Sequence, residues 1–160
     1  HSKVPQVRKY NGSEMKNEEY SKARVLLVKF FYQCYILNVG NYPEKAFSEF
    51  LSHFEFEDRL SPEAYKWAKE IAEKIFDHFD SLDQLIEGSS DKWSLARINT
   101  IDRIILRLCG FELLTKITPA KVALNEAVEL AKIFGTADSS RFVNGVMDAI
   151  AKKIKADSSN

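Results

Sequence analysis

Histidines, cysteines and paired carboxylates carry most enzymatic chemistry, so their spacing decides first whether a catalytic constellation exists. The three histidines are His1, His53 and His78, and no two of them stand at the i, i+4 spacing of a helical metal pair. Cys34 and Cys109 each sit inside an apolar run, with no CxxC spacing. They read as reduced core thiols rather than a disulfide or a metal pair. Glu18-Glu19 reads as a solvated helix start. No Walker loop, GxGxxG or GxSxG occurs, so neither a phosphate cradle nor a nucleophile elbow is available. The expectation is a protein that is not an enzyme and that needs no cofactor and no metal. What remains is charge. The formal net charge is zero, yet residues 40–91 hold thirteen acids against five bases. Residues 1–24 hold six bases against three acids, and residues 92–160 hold eleven against seven. Two basic ends around an acidic middle can present one basic face to nucleic acid despite the neutral total.

The elements that must position such a face read as helices. The first nineteen residues are polar, contain Pro5 and Gly12, and read as a mobile arm before a domain spanning 20–156. Ala23, Leu26, Leu27, Phe30, Phe31 and Cys34 then recur at helical spacing, until Val39-Gly40-Asn41 closes the helix. Pro43 opens a short helix with Phe47, Phe50, Leu51 and Phe54 on one side. Ser61-Pro62-Glu63 is a helix start: a hydroxyl cap, a proline in the first turn and an acid at the positive dipole end. Ala64, Trp67, Ala68, Ile71, Ile75, Phe79 and Leu82 follow on one face, and Gly88-Ser89-Ser90 ends it. Ser94 is the candidate cap of a helix bearing Ile98, Ile101, Ile105, Leu108 and Leu113. Thr118-Pro119 begins another, which Gly135 ends as a left-handed cap. Phe142, Val146, Met147, Ile150 and Ile154 define the last. No alternating strand pattern competes. The fold class is all-α, a helical bundle of six or seven helices. No apolar run nears the ~18 residues of a membrane helix, and no hydrophobic signal core opens the sequence. The expected compartment is therefore the cytoplasm.

The most specific stretch lies in the C-terminal half. KVALNEAVELAK at 121–132 and DSSRFVNGVMD at 138–148 mix a core stripe with small residues and polar positions. Val122, Ala123, Ala127, Leu130, Ala131 and Phe134 form the stripe. Gly145 costs about 1 kcal/mol against alanine inside a helix, which points to a close helix crossing. Asn125 and Asn144 read as buried hydrogen-bonding locks. Arg107 and Glu112 read as a structural pair.

These two segments resemble the signature of the NusB family of transcription antitermination factors. The stretch from Ile101-Asp102-Arg103 to Phe111-Glu112-Leu113 and the stretch from Ala23-Arg24 to Tyr32 resemble the family's preceding helices. The resemblance covers about residues 20–154. It implies two three-helix subdomains that bind boxA-type single-stranded RNA together with the small-subunit ribosomal protein NusE. The setting is a transcription elongation complex on ribosomal-RNA operons, with monomer and homodimer both open. Carried onto this sequence, the implied RNA-binding residues are Lys22, Arg24, Tyr32, Asp102, Asp138, Arg141 and Phe142. Aromatics there can stack on unpaired bases, and basic groups can hold phosphates. Asp102 and Asp138 can accept from a base amino group or cap a helix. Phe142 fits a core position by its spacing and an RNA platform by the resemblance. One departure stands out. Where the family's arm carries consecutive arginines, this chain has Tyr20, Ser21 and Lys22 after Glu18 and Glu19. Fewer neutralised phosphates mean lower affinity and a flatter salt slope. Two alternatives follow: a protein-interaction module with weak or lost RNA binding, or a fragment of a larger RNA cytosine methyltransferase.

Overall fold

The computed structural model describes residues 14–41, 45–53, 60–90 and 95–158. Seven α-helices occur among them, with no strand. They are α1 (Glu14–Ile36), α2 (Ala46–Leu51), α3 (Pro62–Lys74), α4 (Phe79–Ser89), α5 (Thr100–Thr115), α6 (Ala120–Phe134) and α7 (Ser139–Ser158). A 3-10 turn, Ile75–His78, joins α3 to α4. Helix α1 begins at Glu14, ahead of the expected boundary at 20. Its Glu19 carboxylate accepts the Ser61 N–H at 2.8 Å, so at least this part of the expected arm is helix docked on the bundle. Residues 1–13, Pro43, Phe54, Trp93 and Ser94 lie outside the described residues.

Helix α5 is the centre. Ile104, Ile105, Leu106, Leu108, Cys109, Phe111 and Leu113 are all buried, so it is apolar nearly all round, as a core helix must be. Helices α1, α4, α6 and α7 pack against it, and α6 and α7 pack on each other. Helix α3 packs on α1. Helix α2 joins the core through Phe47 and Phe50, whose rings meet Phe30 of α1 at 5.3 and 5.5 Å. The apolar stripes expected for α1, α3 and α6 are those that face inward, with Phe79, Val122 and Phe134 only half-buried.

One polar cluster lies inside this core. Arg24, 1% exposed, donates from Nε and Nη2 to the Glu112 carboxylate at 2.7–3.2 Å. Its other guanidinium nitrogen lies 3.4 Å from Glu126, and the group sits 5.0 Å over the Trp67 ring. Thr118 donates to Glu112 at 2.6 Å, and Ser21 donates to Glu126 at 3.0 Å. Burial alone lowers a guanidinium's pKa, but the two carboxylates outweigh it and hold Arg24 above its ordinary value. The expected Arg107–Glu112 pair is therefore not made. Glu112 belongs to Arg24, and Arg107 makes two 2.7 Å bonds to Asp83.

Caps explain most of the remaining ends. Ser61 Oγ accepts from Ala64 N–H at 3.2 Å with Pro62 in the first turn, as expected. Helix α6 differs. Pro119 occupies its N-cap without a side-chain bond, because the Thr118 hydroxyl is committed to Glu112. Helix α1 closes on Asn38, not on Gly40. Asn38 is left-handed (φ 56°), donates to Tyr35 C=O, and Val39 N–H returns to Cys34 C=O, a Schellman closure. Gly135 is not left-handed but extended (φ −91°, ψ −171°). A Cβ there would strike the Ser139 side chain and the Ala131 carbonyl, so close approach, not conformation, demands glycine. Gly145 shows the reverse. It is exposed, and nothing lies within 4 Å of where its Cβ would be; nothing in its packing calls for glycine. Asn125 and Asn144 are exposed rather than buried, because both point away from the α5–α6–α7 contacts.

Two outcomes follow from this packing. Arg24→Met should destabilise the fold by about 3–5 kcal/mol, because Glu112 stays buried and unpaired, and adding Glu112→Leu should restore most of it. Chemical denaturation of the two variants measures the difference. Gly145→Ala should stabilise by about 0.5–1 kcal/mol in a thermal melt.

Candidate nucleic-acid interface

The N-termini of α5 and α7 converge on one cleft of about 350 Å³. Each end is built locally. At α5, Asn99 Oδ1 accepts from Asp102 N–H at 2.8 Å, while Asn99 Nδ2 donates to Asp102 Oδ2 at 3.2 Å. At α7, buried Ser139 accepts from Thr136 N–H at 2.9 Å, and Phe142 N–H bonds Asp138 C=O at 3.1 Å. The cleft walls include Arg97, Asn99, Asp102, Asp138, Ser139 and Phe142. Two helix N-termini bring partial positive charge to this spot, which suits acids there and anions nearby.

Asp102 is the unusual member. It is 4% exposed, and its Oδ1 has no hydrogen-bond partner among the described residues. Burial pushes its carboxyl above the ordinary value, an effect that hydrogen bonding with Ser139 and Asn99 only partly offsets. Asp138 and Arg141 are exposed, and Phe142 is half-buried with its ring packed against the core edge. It is neither a full core residue nor a free-standing platform.

The other expected site residues separate. Tyr32 is 41% exposed on α1, its ring 6.3 Å from that of Tyr35, which is 50% exposed. Both sit outside the cleft. Lys22 is half-buried and ten residues before Tyr32, roughly 15 Å along the helix axis. Arg24 must be corrected. Its guanidinium is enclosed by Glu112, Glu126 and Trp67, so it is a structural ion and not a phosphate contact. Thus Asp102, Asp138 and Phe142 share a site with Arg141 beside it, while Lys22 and Arg24 do not. Arg97, Asn99 and Tyr35 escaped the sequence reading. A signal existed for Asn99, since an amide three residues before an acid marks a helix start.

Comparison with known proteins places this geometry. The family model described as NusB family matches residues 21–152. The chain belongs to the NusB family. A transcription antitermination protein NusB of Myxococcus xanthus is 48% identical over 95 residues, 59% of this chain and 68% of that one. One from Nitratiruptor sp. is 38% identical over 122 residues, covering 76% and 85%. Among solved structures, one described as "T. maritima NusB" aligns with TM-score 0.71 and 31% identity over 84% of this chain and 91% of that one. A structure described as that of a plectonemic RNA supercoil aligns with TM-score 0.68 and 26% identity, covering 85% and 94%. The all-helical NusB architecture expected from the sequence is the one found. Membership also carries the class of function, transcription antitermination, which is a binding role and not a catalytic one. In this NusB-family chain no helix among the described residues is long and apolar enough to cross a membrane. No cluster of three or more metal-ligating side chains occurs among them.

The raised carboxyl of Asp102 has a stability consequence of definite sign. A carboxyl whose folded pKa exceeds its unfolded value near 3.8 favours the fold when protonated. That contribution is complete below the unfolded value and is lost as pH rises through the folded one. Asp102→Asn should therefore raise the melting temperature at neutral pH, with the advantage vanishing as pH falls below 3.8. Thermal melts across that range test it, and an unchanged or lower neutral-pH melting temperature would count against burial as the cause.

Proposed function

We propose that this NusB-family chain is a cytoplasmic RNA-binding antitermination factor that holds boxA-type single-stranded RNA at the α5/α7 cleft. It does so together with the ribosomal protein NusE, within a transcription elongation complex. The observation that carries the reading is the convergence of Asp102 of α5, Phe142 of α7 and Asp138 just before α7 on one cleft with exposed Arg97 at its wall. Base stacking on Phe142, acceptance from base amino groups by the acids, and phosphate attraction by Arg97 and Arg141 are the three interactions this set offers. The structural neighbour described as a plectonemic RNA supercoil, at 26% identity, adds an RNA setting for a protein of similar fold.

A second reading, a protein-interaction module with a weak RNA grip, has one observation in its favour. Arg24 is withdrawn into the core, which removes another phosphate contact from a chain that already has Tyr20, Ser21 and Lys22 where the family carries consecutive arginines. The two readings separate in a titration of boxA-like and scrambled RNA, with and without NusE, at two salt concentrations. RNA binding without sequence preference, or none, would leave only the protein module.

Two variants sharpen the test. Phe142→Ala should weaken boxA-like RNA binding by roughly 1–3 kcal/mol. Because the ring is half-buried, its stability loss should fall short of the 3–5 kcal/mol of a full core phenylalanine (about that range for Phe→Ala). Arg141→Ala should weaken binding to all sequences and lower the salt slope by about one. Normal RNA affinity in a folded Phe142→Ala protein would remove Phe142 from the site.

A further inference from the structure

The residue after Asp102 faces a different space. Arg103 enters a second cavity of about 210 Å³, walled by Tyr35 and Asn38 at the end of α1 and by Phe79 and Arg107. Arg107 is already committed, bonded twice to Asp83 with its guanidinium 4.3 Å over the Phe79 ring. Arg103 is not. Its guanidinium lies 5.7 Å over the Tyr35 ring, and its buried Nε has no hydrogen-bond partner among the described residues. Buried donors are nearly always satisfied, so an unanswered donor on a side chain that lines a cavity points to an acceptor that arrives with a ligand.

The cavity's shape narrows that ligand. Its volume is below the roughly 300–1,000 Å³ of a pocket for a whole drug-sized molecule, leaving room for one small planar or anionic group. Its wall includes the exposed Tyr35, and Tyr32, also exposed, lies one helical turn earlier with the two rings 6.3 Å apart. Its rim is rigid, because the Schellman closure at Asn38 and Val39 fixes the chain there. A planar guanidinium beside accessible tyrosine rings suits a nucleotide, with an oxygen on Arg103 and a base on the tyrosine. An acidic peptide fits less well, because it brings no base to lie on the tyrosine ring.

We propose that the Arg103–Tyr35 cavity is a second nucleotide subsite, which takes a nucleotide of the same RNA strand next to the stretch held at the α5/α7 cleft. Consecutive residues of one helical turn, Asp102 and Arg103, thus address two successive parts of one ligand. The inference rests on the RNA-binding reading above.

The experiment compares a short boxA-like RNA with the same RNA lengthened by a few nucleotides at one end or the other. Wild-type protein should bind one of the lengthened RNAs more tightly. Tyr35→Ala, at an exposed position, and Arg103→Gln should each reduce that gain about tenfold, leave the affinity for the short RNA unchanged, and melt as folded proteins. Arg103→Lys should recover only part of the gain, because it restores charge without the planar fork. A gain from lengthening that persists in both variants overturns the subsite. Weakened NusE binding with every RNA affinity intact overturns it too, by assigning the cavity to a protein partner. If the wild type binds no RNA of either length, the RNA-binding reading itself falls, an outcome distinct from the other two.

Discussion

A charge cannot be left alone in an apolar interior, and this constraint organises the bundle around Arg24. Desolvating a guanidinium carries a penalty of several kcal/mol that only close carboxylates and hydrogen bonds offset. Glu112 of α5 and Glu126 of α6 supply the carboxylates, and Trp67 of α3 supplies a ring face. Four helices therefore have to adopt one rotation and one register for the cluster to close. Tyr32 lies eight residues further along α1, about 12 Å down its axis, so its outward direction is set by the same closure. The outer surface inherits its order from a buried ion.

The interface exploits a second regularity, the unpaired N–H groups at helix starts. Helices α5 and α7 begin side by side: Asn99 answers the Asp102 N–H in the first turn of α5, and Ser139, the first residue of α7, accepts from the Thr136 N–H just before it. The space between is electrically mixed: two positive dipole ends, two acids and the exposed Arg97, with exposed Arg141 next in sequence to the cleft's Phe142. A neutral protein can in this way be selective locally. In the proposed RNA complex the acids would disfavour indiscriminate attraction of phosphate, while the arginines would keep the anionic backbone near enough for bases to be read. Asp102, buried with one oxygen unanswered, is a local concession of stability of the kind that functional sites commonly contain.

How much of this the sequence discloses depends on the range of the interaction. Repeating apolar positions such as Ala23, Leu27 and Phe30, or Ala64, Trp67 and Ile71, announce their buried faces because the helix period is local. Ser61 announces its cap for the same reason. Arg24 is opaque, since a base flanked by core residues looks alike whether it projects outward or meets a carboxylate 88 positions later. Glu112 is opaque too, and pairing it with the nearer Arg107 overlooks Asp83, 24 residues before that arginine. Glycine is ambiguous by nature: Gly135 answers to a neighbouring hydroxyl, Gly145 to nothing nearby, and neither shows this in one dimension. Of the cleft, the acids and Phe142 were legible through family resemblance. Arg97 was not, because its place at the wall depends on which helix ends meet.

The 88-residue span between Arg24 and Glu112 also has a meaning in time. A ribosome adding about 5–20 residues per second needs roughly 4–18 s to travel from one partner to the other. Throughout that interval α1 exists with its arginine and its apolar stripe but without the helix that receives them. Most of a helix's stability in a protein comes from packing its apolar face, so the nascent segment has every reason to associate first with the next helices to emerge, α2 and α3, through Phe30 and Tyr20. The guanidinium then waits, still hydrated, for α5 to emerge. Completion of the core is thereby tied to synthesis of the half of the chain that carries the cleft, and a truncated product is left with an open ion where a finished protein has a closed one.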